Sequence, residues 1–84
     1  MSDHQAQLMQ AVAFAIDGEW AASHQIAQGY SDPTANWIHA VLHKMEGDES
    51  NSQYWYKRTA GKQYADYVDT ISELKAILKI LSAN

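Results

Sequence analysis

The segment Trp37–Asp48, WIHAVLHKMEGD, decides how the rest of the chain is read. It sets His39 and His43 four residues apart, with Glu46 three further on. At about 100° per residue, Trp37, Ile38, Val41, Leu42 and Met45 share one broad face of a helix, and His39, His43 and Glu46 share the other. Two readings compete for that polar face. In the first, a helix ends at Gly47 and turns into a second helix. Glycine accepts the left-handed conformation that helix ends favour, and acidic residues suit a helix start. In the second, both imidazoles and the Glu46 carboxylate face one metal ion. The pattern lacks the glutamate beside the first histidine that marks a zinc hydrolase, and a fourth ligand has to come from elsewhere, such as His24. The turn accounts for Glu46-Gly47-Asp48 without an ion, so the hairpin is the primary reading and the ligand set the alternative. As packing residues, the two histidines are expected to donate from one ring nitrogen each to a carbonyl or carboxylate on a neighbouring helix.

Working outward, the helical period continues in both directions and no segment alternates with period two. Asp32-Pro33 is a start signal, a capping side chain followed by proline at the first helical position. Upstream, Ser2 with Gln5 forms a capping-box pattern ahead of a stripe of Leu8, Val12 and Ile16 that stops at Gly18. A short helix, EWAASHQIAQ, follows. Downstream, Asp48 or Ser50 caps SQYWYKRTA, with Lys57 and Arg58 in its last turn. A polar and aromatic connection leads to Thr70-Ile-Ser-Glu73, read as another capping box. The last helix carries Ile71, Leu74, Leu78 and Leu81 on one stripe, flanked by Ile77. Five helices are expected, near 3–16, 19–28, 33–46, 49–60 and 70–82. The fold class is all-α: two antiparallel hairpins (about 2–29 and 32–61) and a C-terminal packing helix in a single domain.

The two hairpins align at an offset of 29 residues. Leu8 then meets Trp37, Ala11 meets Ala40, Val12 meets Val41, Ile16 meets Met45, and Ser23 meets Ser52. The turn Asp17-Gly18-Glu19 meets Glu46-Gly47-Asp48. A small residue mid-helix, a Gly-acidic turn, and a small residue early in the second helix resemble the tetratricopeptide and Sel1-like helical repeats. Trp55-Tyr56-Lys57-Arg58-Thr59-Ala60 resembles the end of a Sel1-like repeat. The offset is shorter than the roughly 34 residues of a tetratricopeptide, and Trp20 meets Glu49, which is not aromatic.

About half the chain also resembles a family of small, mainly bacterial proteins without an established activity. The similarity rests on Trp20 and His24, then on the pattern WIHAxLHxxEGDxxNxxYWYxRxAG, here Trp37 to Gly61. It implies no reaction, and both ends of the chain lie outside it.

Composition narrows the function classes. Eighty-four residues with 46% hydrophobic and 11% aromatic content make one small domain with a real core. The formal charge is −4, and the six Lys and Arg do not gather into a stripe, so no nucleic-acid partner is expected. No apolar run reaches the roughly 18 residues a membrane span needs, and the N-terminus lacks the basic start and cleavage site of a secretory signal. The absence of cysteine removes disulfide and thiolate chemistry and fits the cytoplasm. No cofactor is expected.

Tyr54-Trp55-Tyr56 spans about 200° of a helix, so the three rings cannot share one face and at least one is free for a partner. Trp20 and Trp37 read as core anchors. Catalysis finds little support: no Gly-rich elbow frames a serine, Ser23 and His24 are not across a helix face, and the acids around Gly18 and Gly47 belong to turns. The sequence therefore reads as a protein-interaction or scaffold module rather than an enzyme, binding through Tyr54, Trp55, Tyr56, His39 or His43. Its partner is another protein or a second copy, the latter through the last helix, whose apolar residues exceed what one hairpin edge covers. The alternative is a small metal-binding or metal-dependent protein using His39, His43 and Glu46.

Overall fold

The computed structural model describes residues 3–83. They form five α-helices and no strand: α1 (Asp3–Ile16), α2 (Trp20–Ala27), α3 (Pro33–Met45), α4 (Glu49–Tyr56) and α5 (Thr70–Ser82), with a 3-10 turn at Tyr64–Asp66. The expected cap at Ser2 lies outside the described residues. Helices α1 and α2 form one hairpin and α3 and α4 a second, while α5 packs across α1 and α3. Helix α3 is the centre of the fold. Residues 35–43 are all buried, because α1, α2, α4 and α5 surround it.

Local chemistry explains the ends. Asp32 accepts a hydrogen bond from the Ala35 amide at 3.2 Å with Pro33 in the first turn, and Asp48 accepts from the Asn51 amide at 3.3 Å. Both hairpin turns close with the same pair of bonds. The Glu19 amide donates to the Phe14 carbonyl and that of Gly18 to Ala15, and Asp48 donates to His43 and Gly47 to Lys44. Gly18 and Gly47 sit at φ +84° and +82°, the left-handed position this helix stop requires.

The same hydrogen bond also locks each hairpin from within. Ser23 Oγ donates to the Ala11 carbonyl at 2.6 Å, and Ser52 Oγ donates to the Ala40 carbonyl at 2.7 Å. Both serines and both alanines are fully buried, so each hydroxyl fills a close helix crossing and finds its acceptor there.

Three expectations change. Helix α4 ends at Tyr56 rather than near residue 60. The chain tightens into i→i−3 bonds at Arg58 and Thr59, and the Asn36 amide captures the Arg58 carbonyl at 3.1 Å, so Lys57 and Arg58 lie just beyond the helix. The cap of α5 is Asp69, which accepts from both the amide and the hydroxyl of Ser72, and not a Thr70–Glu73 box. Glu73 is instead fully buried. The buried stripe of α5 is accordingly Leu74, Ile77 and Leu81, with Ile71 and Leu78 half-buried and Ile80 exposed.

The buried Glu73 is matched. Lys44 Nζ lies 2.9 Å from Glu73 Oε1, while Trp37 Nε1 and the Tyr56 hydroxyl donate to Oε2 at 2.8 and 2.6 Å. Lys44 also donates to the carbonyls of Tyr64 and Tyr67 at 2.8 and 2.7 Å, which pins the connection before α5. Burial and the Glu73 carboxylate push the Tyr56 phenol well above its ordinary range, so it stays a donor. Among the described residues no buried side-chain nitrogen or oxygen lacks a partner, and no helix is long and apolar enough to cross a membrane.

Candidate functional site

Three of the four histidines meet where α2 crosses α3. His39 and His43 are buried on α3, and His24 is half-buried on α2. The crossing is fixed beside them by Trp20, whose Nε1 donates to the Leu42 carbonyl at 2.6 Å. His24 Nε2 and His39 Nε2 lie 3.1 Å apart, so one donates to the other. His43 and His39 stack at 4.9 Å between centroids, and His24 meets His39 and His43 edge-on at 4.6 and 5.4 Å respectively. One ring nitrogen from each of the three falls within 4.8 Å of the others.

Indoles wall the cluster. Trp20 stacks on His24 at 4.7 Å, and Trp55 stacks on His39 at 3.9 Å. His43 Nδ1–H donates to Glu46 Oε2 at 2.7 Å, and Asn51 Nδ2 sits 3.5 Å from both nitrogens of that ring. Burial, then the neighbouring His24 and His43, hold His39 down to about 4. His24 is lowered by burial and by His43, against an opposing pull from Glu46. His39 is therefore a neutral imidazole at physiological pH.

The packing partners differ from the expected ones. The carboxylate holding His43 is on its own helix end rather than on a neighbouring helix, and His39 pairs with another imidazole. Glu46 lies against His43 Nδ1, while His24 completes the group of three. The fourth histidine, His4, is elsewhere. It bonds Asp32 at 2.6 Å and stacks on Tyr30.

The three consecutive aromatics diverge as their spacing requires. Tyr54 is exposed at 48%, Trp55 is half-buried against His39, and Tyr56 enters the Glu73 network. Arg58 lies over the Tyr54 ring at 3.7 Å, and Tyr54 meets Trp55 edge-on at 5.1 Å. An open groove of about 630 Å³ lies between α4 and the 3-10 turn, lined in part by Glu49, Gln53, Lys57, Lys62 and Tyr64. None of the histidines lines it. Trp37 is a core anchor, with its ring partly shielded by Lys62 at 4.6 Å. Trp20 is half-buried and serves the crossing and the His24 ring together.

Sequence reasoning missed the roles of Lys44, Glu73 and Asn51. A signal for Lys44 existed, since it is the one Lys, Arg, Asp or Glu of α3. No family model, curated protein or solved structure matches the chain.

Proposed function

We propose that the chain is a non-catalytic protein-interaction module, built from two similar helical hairpins and working in the cytoplasm. One observation supports this most: an unbroken run of ring contacts crosses both hairpins. It passes from Trp20 to His24, His39, Trp55 and Tyr54, and ends on Arg58. Its α4 end is exposed. Rigid aromatic rings with polar edges, and arginine beside them, supply large contact area at low entropic cost, which is why binding surfaces favour them. Because the rings brace one another, the exposed pair is held before a partner arrives.

The shared turn and serine bonds at an offset of 29 residues support kinship with tetratricopeptide and Sel1-like hairpins. Trp20, His24, His39, His43, Glu46, Asn51 and Trp55, on which the resemblance to the small bacterial family partly rests, all line the strip or the cluster beneath it. Self-association through α5 has less to work with. That helix spends Leu74, Ile77 and Leu81 on the core, and Ile80 is its one large apolar side chain in solvent.

Affinity capture from a lysate of the native host tests the reading, with wild type and a Tyr54→Ala/Arg58→Ala variant quantified side by side. The variant should fold with stability within about 0.5 kcal/mol of wild type, as surface changes do. The protein enriched by wild type should fall at least about tenfold, the loss expected from removing one interface anchor. Equal capture by both would sink the proposal.

A further inference from the structure

We infer that His24, His39 and His43 form a binding site for one divalent transition metal ion, with Glu46 orienting His43 rather than ligating. The inference stands apart from the interaction reading, since it needs no partner protein.

The geometry points to it in three ways. A tetrahedral ion with metal–nitrogen bonds of about 2.0–2.1 Å holds its ligand nitrogens roughly 3.3 Å apart. His24 Nε2 and His39 Nε2 stand at 3.1 Å, and the third imidazole offers a nitrogen within 4.8 Å. Second, the His43–Glu46 bond fixes the tautomer. With the proton on Nδ1 and held by a carboxylate, His43 keeps its lone pair on Nε2, which Asn51 Nδ2 approaches at 3.5 Å; a carboxylate behind the ring is the usual outer arrangement around a metal-bound histidine. Third, the backbone is already set. His39 and His43 are four apart on a buried helix, His24 is presented by a helix tied down through Trp20, and indole faces hold two of the rings.

The chemistry selects the class of ion. Three imidazole ligands without a thiolate suit zinc, copper(II), nickel or cobalt(II), and do not suit calcium or magnesium. On binding, the proton shared by His24 and His39 moves to an Nδ1, so both Nε2 lone pairs face the ion and no net charge is displaced. The nearest basic residue in sequence, Lys44, is committed to Glu73 on the other side of the helix and does not repel a cation. Glu46 and Asp48 lie beside His43 and draw a cation to the site.

The test uses the untagged chain, stripped with chelator, then titrated with zinc by calorimetry and with cobalt(II) by visible absorption. One equivalent per chain should bind, with the intense cobalt bands of a four-coordinate site. His24→Ala, His39→Ala and His43→Ala should each weaken zinc binding at least about a hundredfold, and Glu46→Gln by roughly ten- to a hundredfold. His4→Ala should change nothing. His24 is half-buried, so His24→Ala keeps a folded chain by circular dichroism even where the α3 variants do not. Zinc binding that is sub-stoichiometric, weaker than about millimolar, or unaltered in His24→Ala would overturn the inference.

Discussion

Lys44 and Glu73 meet at 2.9 Å inside the protein, joining the central helix to the last one. Every other polar group at this point is arranged around the pair, including the indole of Trp37, the phenol of Tyr56 and two backbone carbonyls. Removing one partner of a buried ion pair leaves an uncompensated charge, which costs about 3–5 kcal/mol. Lys44→Met should therefore cost that much in urea melts. Lys44→Met combined with Glu73→Gln should recover part of the loss, since no charge then remains buried. A loss below about 1 kcal/mol for Lys44→Met would show that water reaches the pair.

Trp37 supplies both volume and a hydrogen bond to the same carboxylate, and the two contributions can be separated. Trp37→Ala should cost about 3–5 kcal/mol, through a cavity in the core. Trp37→Phe keeps most of the ring and loses the indole donor to Glu73. A hydrogen bond to a charged group contributes about 1.5–3 kcal/mol, so Trp37→Phe should fall in that range. Equal losses in the two variants would mean that packing alone is at stake.

Ser23 and Ser52 make the same bond to the first helix of their respective hairpins. In each case the acceptor carbonyl belongs to a helix and the lost partner is a neutral hydroxyl, so Ser→Ala should cost about 1 kcal/mol at either site. Larger side chains should cost more, because both positions are fully buried at a helix crossing. Urea melts of Ser23→Ala and Ser52→Ala that differ by more than about 1 kcal/mol would show that the hairpins do not share this lock energetically.

These particular residues also show what could be read without coordinates. Caps and turns depend on near neighbours in sequence, so Asp32-Pro33, Asp48 and the two glycine turns were legible directly. So was the divergence of Tyr54, Trp55 and Tyr56, since it follows from helical geometry alone. Glu73 was misread for the same local reason: Thr-x-x-Glu spacing suits a cap, and only Lys44, 29 residues away, reveals the other use. The histidine cluster was half legible. The i, i+4 spacing joined His39 to His43, while His24, named there only as a further ligand, enters through the crossing of α2 over α3. Short-range patterns carry no information about that crossing.

His39 gives the domain an acid-sensitive point. Its imidazole is buried, faces two further imidazoles, and is held down to about 4 from an ordinary 6.5. The unfolded chain therefore binds a proton at His39 between pH 6.5 and 4 that the folded chain refuses. Stability falls wherever the unfolded state holds more protons, so it should decline as pH drops through this window and be unaffected by His39 above it. His24, lowered by the same burial and by His43, acts in the same direction. The loss attributable to His39 should reach about 1–3 kcal/mol near pH 4, below the ideal linkage figure because water reaches part of the cluster. Urea melts at pH 7, 6, 5 and 4.5 measure the slope, and a proton NMR titration of the His39 ring assigns it. His39→Gln should flatten the slope between pH 6.5 and 5. A His39 ring that titrates above pH 6 would show an open, solvated cluster instead of the stacked one between Trp20 and Trp55.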